Sequence, residues 1–179
     1  MKVRKAVPSD AEICLKIYNS VCDWESKNTI LTAWNKQLYP TMETVSSALA
    51  RNDLYVLEDK TGTEKNKIVA CGIINQLQPD FYKEFIWTVP AVAKEVLILH
   101  TFAVNPDFWG KGYAQFFMNF YETLALQKNC KALRLDTTLT NIPAQNLYKK
   151  LGFKLCGQFE DDPNGVGQPL IFLGLEKKV

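Results

Sequence analysis

Gly110 and Gly112 flank Lys111 a few residues after an apolar run, residues 95–104, and open the longest helical pattern in the chain. Glycine lets a backbone turn tightly and approach a ligand closely. The first N–H groups of a helix have no partner inside it, and the positive end of the helix dipole lies there. A strand, a glycine turn and a helix start therefore make an anion site suited to a pyrophosphate, to which Lys111 adds a cation. Two other phosphate motifs fit badly. A P-loop needs G-x-x-x-x-G-K-[ST], but Lys111 is followed by Gly112, and a dinucleotide fingerprint needs a third glycine where Gln115 stands. Read without a ligand, the same segment is a glycine-capped loop. Other reactive side chains are sparse. The one histidine is His100, and the five cysteines (Cys14, Cys22, Cys71, Cys130 and Cys156) show no C-x-x-C spacing. No metal site is expected from that set. The cysteines read as reduced and packed as small apolar residues.

The elements that must position the glycine turn can be read from periodicity. Residues 2–6 alternate as a short strand. Ser9 and Glu12 have the spacing of a capping box, followed by Ile13, Ile17 and Val21 at helical intervals. Residues 23–40 are irregular or helical, and 41–51 form a second helix. Residues 53–58 and 67–74 are β-rich runs joined by a polar turn, 59–66, and so form a hairpin. Residues 79–90 form an aromatic loop or short helix. Residues 95–104 are apolar on both faces, as a central strand requires. Helix 110–128 buries Ala114, Phe117, Met118, Tyr121, Leu124 and Ala125 on one face. Strand 131–137 follows, then a short helix, 143–151, with proline in its first turn and Gly152 just past its end. Residues 153–159 and 169–175 are closing strands. With no repeat, low-complexity tract or linker, the chain reads as one α/β domain over residues 1–179.

The segment Trp109-Gly110-Lys111-Gly112-Tyr113-Ala114 resembles the acetyl-CoA signature of the GNAT superfamily of N-acetyltransferases, Q/R-x-x-G-x-G/A. It departs from that signature at Trp109, which stands in the Gln/Arg position. A second segment, Asn141 through Phe153, resembles the family's C-terminal motif N-x-x-A-x-x-L-Y-x-K-x-G-F. The order and separation of the two make the resemblance far more specific than either alone. It implies a mixed α/β (α+β) fold: a largely antiparallel sheet, splayed between two central strands and flanked by helices. By order those strands are 95–104 and 131–137.

The resemblance also implies a role for each residue. Backbone groups of Phe102, Ala103 and Val104 would meet the pantetheine arm as an added strand would. Amides of Trp109, Gly110, Lys111, Gly112, Tyr113 and Ala114 would line the pyrophosphate. Asn141 would either bind the cofactor arm or cap the short helix. Tyr148 maps to the family's frequent general acid, which protonates the departing thiolate; the alternative is a core tyrosine, and both can hold. For the base, His100 lies two residues before Phe102 and so on the same strand face. The alternative is a satisfied core histidine, with Glu95 as the fallback base. A cysteine acyl intermediate is disfavoured, because no cysteine has a clearly activating basic neighbour. Trp24, Trp34, Tyr39 and Trp87, with Phe81 and Tyr82, would line an acceptor pocket or else fill gaps beneath loops.

The reaction so implied moves acetyl from acetyl-CoA to an amine of a small molecule, amino acid or peptide, by direct attack in a ternary complex. The alternatives are a non-catalytic acyl-CoA-binding or sensing domain, and a structural domain whose loop binds nothing. The charge balance, 21 basic against 19 acidic side chains for a net +2, does not suit a dedicated nucleic-acid binder. No stretch approaches a membrane span. The N-terminal residues lack the apolar core of a signal peptide, so a cytoplasmic monomer or homodimer is expected.

Overall fold

Among the residues described by the computed structural model, 1–32, 34–60, 67–162 and 169–179, the chain forms seven strands and four α-helices. They are β1 (Lys2–Lys5), α1 (Ala11–Glu25), α2 (Met42–Ala50), β2 (Leu54–Asp59), β3 (Lys67–Asn75), β4 (Val96–Val104), α3 (Tyr113–Gln127), β5 (Ala132–Thr138), α4 (Ile142–Lys150), β6 (Lys154–Asp161) and β7 (Leu170–Lys178). The strands hydrogen-bond in the order β1-β2-β3-β4-β5-β7-β6. β4 and β5 run parallel, whereas β1/β2, β2/β3, β5/β7 and β7/β6 are antiparallel. This is the mixed, largely antiparallel sheet expected from the sequence. The β4–β5 ladder runs from Val96↔Ala132 to Leu99↔Leu135, and both strands continue past it. The glycine turn expected within 59–66 falls, from residue 61 on, outside the described residues. No helix among the described residues is long and apolar enough to cross a membrane.

The chain divides into two compact units. The first comprises Met1–Thr29, Trp34–Ile74 and His100–Tyr121. Its core is built from the helical stripe Cys14, Ile17, Tyr18 and Val21 of α1, Val45 and Ala48 of α2, and Leu54, Val56, Ile68, Cys71, Ile73 and Ala103 from the strands. The capping box expected from Ser9 and Glu12 does not form. Instead the chain makes a 3-10 turn at Pro8–Asp10, and the Asp10 carboxylate accepts from the Val7 N–H at 2.8 Å and from Arg4 at 2.6 Å. A carboxylate that faces both an orphan amide and a guanidinium makes stronger, charge-assisted bonds than a serine hydroxyl does.

The second unit comprises Ile30–Ala33, Asn75–Leu99 and Glu122–Val179. Side chains alternate along β5, which places Arg134, Asp136 and Thr138 on one face. The aromatic segment expected at 79–90 begins with a 3-10 turn, Asp80–Glu84. Tyr82, Phe85, Val96, Ile98 and Ala132 form a buried cluster, with Phe81, Trp87, Phe159 and Phe172 packed against it. The Phe85 ring lies so close over Gly174 of β7 that a Cβ there would stand 2.5 Å from ring carbons. Beside it the Arg134 guanidinium covers the Trp87 ring at 4.4 Å and donates to Glu176 at 2.9 Å. Glu176 also accepts from the amides of Thr88 (2.8 Å) and Val89 (2.9 Å). A chain segment without regular structure is thereby fixed to the sheet through its backbone polar groups.

Candidate active site

β4 leads into the glycine turn through a 3-10 turn, Pro106–Phe108, capped by the Asn105 side chain accepting from the Asp107 N–H at 3.0 Å. Gly110 (φ 74°) and Gly112 (φ 83°) both adopt the left-handed conformation, which an L-side chain enters only at a cost of roughly 1–2 kcal/mol. A Cβ at either position would meet nothing within 4 Å. Their glycine character is therefore set by backbone direction, and the space above the loop is open. The N–H groups of the first turn of α3, from Tyr113, have no acceptor within the helix. The Lys111 ammonium folds back on the loop, donating to the Asp107 carbonyl at 2.9 Å and lying 4.9 Å from the centre of the Phe108 ring. Open space, left-handed glycines, orphan amides and an adjacent cation suit a bound phosphate.

Trp109 replaces the polar residue of the signature with a structural contact. Its indole N–H donates to the Val104 carbonyl at 2.7 Å, and its ring meets Trp24 edge-on at 4.8 Å. One lone pair of a carbonyl proposed to face the pantetheine arm is thus already used, leaving one more. The Phe102 ring stacks on Phe117 at 4.6 Å, and Ala103 is buried in the core. The Tyr113 hydroxyl donates to Asp59 at 2.5 Å, a bond that raises the phenol's pKa. Only its backbone amide is therefore directed to the loop.

The expected placement of His100 rests on strand alternation, and β4 breaks that alternation. Thr101, between His100 and Phe102, has φ 48°. A left-handed residue interrupts the pleat, so spacing by two no longer guarantees a shared face. His100, Thr101 and Phe102 are all half-buried, without the alternation that the sequence suggests. The Thr101 hydroxyl is hydrogen-bonded to the Tyr39 hydroxyl. Glu95, the fallback, precedes β4 in a 3-10 turn and is paired with Lys131 at 2.8 Å. That ammonium holds the Glu95 carboxyl below its usual range, which makes it a weaker base.

Asn141 caps α4, its Oδ1 accepting from the Ala144 N–H at 3.2 Å. Tyr148 projects from α4, buried, with its ring tilted against Phe153, the centroids 5.9 Å apart. Burial, then the nearby charge of Asp136, pushes the Tyr148 pKa well up, so its phenol stays protonated across the physiological range. Sequence reasoning passed over Asp136. Its carboxyl accepts from the Tyr82 hydroxyl at 2.8 Å, and desolvation raises its pKa to about 6 although Tyr82 opposes the shift. The available signal was a carboxylate in the middle of a leucine-rich strand, Leu133-Arg134-Leu135-Asp136, where a charge needs a reason.

The aromatic candidates for an acceptor pocket all have packing partners. Trp34 meets Tyr18 edge-on at 5.5 Å, Trp24 meets Trp109, and Tyr39 bonds Thr101. The Trp87 face, proposed to attract an amine cation, carries the chain's own Arg134, and the Trp87 indole donates to the Tyr82 carbonyl at 2.9 Å. The cation for that ring is therefore internal.

The sequence profile of the Acetyltransferase (GNAT) family matches residues 18–153. The chain belongs to the GNAT family. A streptothricin acetyltransferase of Escherichia coli is 35% identical to this GNAT chain over 71 residues, which is 40% of the chain and 37% of that enzyme. The alignment thus spans little over a third of the curated relative's length. Solved structures share the fold over nearly the whole chain. A ribosomal-protein-alanine N-acetyltransferase of Brucella melitensis superposes with TM-score 0.73 at 18% identity, covering 100% of both chains. A Salmonella typhimurium protein, solved with acetyl-CoA as its cofactor, superposes with TM-score 0.69 at 15% identity, covering 99% of this chain and 93% of that one. At such identities these likenesses are of GNAT fold, not of substrate.

Proposed function

We propose that the chain transfers an acetyl group from acetyl-CoA to an amine by direct attack in a ternary complex. The observation that carries this is the pair of left-handed glycines opening α3 after β4 and its 3-10 turn, within the segment matched by the family profile. Amides of residues 110–114, with Lys111, hold the pyrophosphate, and the backbone of 102–104 orients the pantetheine arm. Asn141 fixes the start of α4 and thereby the position of Tyr148, about two turns on. Acetyl-CoA supplies an activated acyl carbon. Tyr148, neutral because its surroundings disfavour the phenolate, donates a proton to the leaving sulfur. The acceptor must lose a proton before it attacks, since a lysine-type amine with pKa about 10.4 is almost wholly protonated at pH 7. The family resemblance offers His100 for that proton, but the left-handed Thr101 beside it removes the shared strand face on which the assignment stood. Trp24, Trp34 and Tyr39, which pack within the first compact unit, are the candidates for the acceptor side there.

Two measurements test this reading. Acetyl-CoA should quench tryptophan fluorescence, and thiol should be released with some member of an amine panel that includes streptothricin and an alanine-initiated peptide. Quenching without thiol release from any amine would leave an acyl-CoA-binding domain. The Gly112→Val variant locates the cofactor. Valine at φ 83° forces the loop out of its conformation, and a cost of about 1–2 kcal/mol corresponds to roughly tenfold in affinity. Its Kd for acetyl-CoA should rise at least that much while circular dichroism stays near wild type. An unchanged Kd would place the pyrophosphate elsewhere.

A further inference from the structure

Asp136 is an acidic residue on a central strand that makes no ion pair among the described residues. Its neighbour on the same face, Arg134, is committed to Glu176 and Gln78, at 2.9 Å each. Opposite Asp136 on β7 stands Gly174, which has no side chain. Among the described residues two titratable groups face the carboxyl: Tyr82, from the 3-10 turn, donates to it at 2.8 Å, and Tyr148, from α4, feels its charge. One hydrogen bond from a neutral phenol orients a carboxylate without neutralising it.

We propose that Asp136, held by Tyr82, takes the proton from the acceptor's ammonium and, once neutral, eases the proton donation by Tyr148. This rests on the acetyl-transfer reading above and names the base within it. The protons balance. The ammonium gives one proton to the Asp136 carboxylate and becomes a neutral amine. Its nitrogen bonds to the thioester carbon and the carbon–sulfur bond breaks. The sulfur takes the Tyr148 proton, and Tyr148 recovers one from the nitrogen as the amide forms. The proton on Asp136 then leaves to solvent. Coupling between the two groups gives the steps an order. A charged Asp136 opposes ionisation of Tyr148, and a protonated one does not, so the site becomes a better acid only after the amine has been made a nucleophile. Burial raises both groups, so that near neutrality Asp136 is mostly the carboxylate that accepts a proton and Tyr148 the phenol that gives one. Asp136, at about 6, lies below the range where amines titrate and Tyr148 lies above neutrality.

Two readouts test the proposal. The first is carbon-13 NMR of the Asp136 carboxyl in the protein alone. The midpoint should fall near 6 and move higher in Tyr82→Phe, because the lost hydrogen bond favoured the charged form. A midpoint near the ordinary aspartate value of about 3.9 overturns the proposal. The second is the pH profile of kcat/KM with an amine the wild type acetylates. It should rise through an apparent pKa near 6. Asp136→Asn, which keeps an acceptor for Tyr82, should lower kcat/KM about 10²-fold or more at pH 7.5 and lose that limb, with acetyl-CoA quenching retained. His100→Asn should keep the limb. An Asp136→Asn variant within threefold of wild type, or a limb lost in His100→Asn instead, sinks this inference alone. A wild type that releases no thiol with any amine sinks the transfer reading, and this inference with it. Temperature adds a check, since a carboxyl limb hardly moves on warming whereas an imidazole limb shifts to lower pH.

Discussion

Tyr148→Phe is expected to lower kcat by roughly 10- to 10³-fold, within or just below the span of general acid catalysis, while leaving the Kd for acetyl-CoA nearly unchanged. Phenylalanine keeps the buried ring and its contact with Phe153 and removes only the hydroxyl. The burial that makes Tyr148 a reluctant acid also keeps water from replacing it, and because the departing thiolate is that of CoA whatever the amine, the loss should be similar across acceptors. Single-turnover measurement separates this from slow product release. A variant with wild-type kcat on a good acceptor would reduce Tyr148 to packing. Equal falls in kcat and in acetyl-CoA affinity would mean that the ring had moved rather than that a proton donor had been lost.

The largest expected loss of stability is at Arg134. The Arg134 and Glu176 side chains are 5% and 1% exposed, so Arg134→Leu would strand a carboxylate away from water. Removing one member of a buried pair typically costs about 3–5 kcal/mol. In a chain of this size that is roughly 10 °C in Tm. Glu176 would keep its bonds from Thr88 and Val89, which argues for the lower half of the range. The double variant Arg134→Leu/Glu176→Leu should recover part of the loss, because no unpaired charge remains. Urea unfolding of the three variants measures this, and a single-variant cost below about 1 kcal/mol would show that the pair behaves as if exposed.

What could be read from the sequence was local. The helix start at α3 and the glycine before it follow from neighbouring residues, as does Gly152 (φ 88°) after α4. β2, β3 and β5 lie within a residue or so of their expected bounds for the same reason. What escaped depended on partners far along the chain. Tyr82 reaches Asp136 across 54 positions, and no periodicity in either segment announces that bond. The Thr101 conformation is a further case, since threonine favours extended backbone and only the surrounding structure holds it at φ 48°. The candidate site was therefore legible where backbone amides do the work and opaque where side chains from separate segments converge.

The fit of Phe85 over Gly174 constrains how this protein can diverge. Any side chain at position 174 would collide with the ring 2.5 Å away, and any smaller residue at 85 would leave the groove over the glycine empty. Neither position can drift alone without loss, so a lineage must change both together or neither. Because Phe85 follows the turn that carries Tyr82, this two-residue lock also fixes the register of the aromatic segment on the sheet. Side chains on that segment can then be exchanged while the segment itself keeps its place on the sheet.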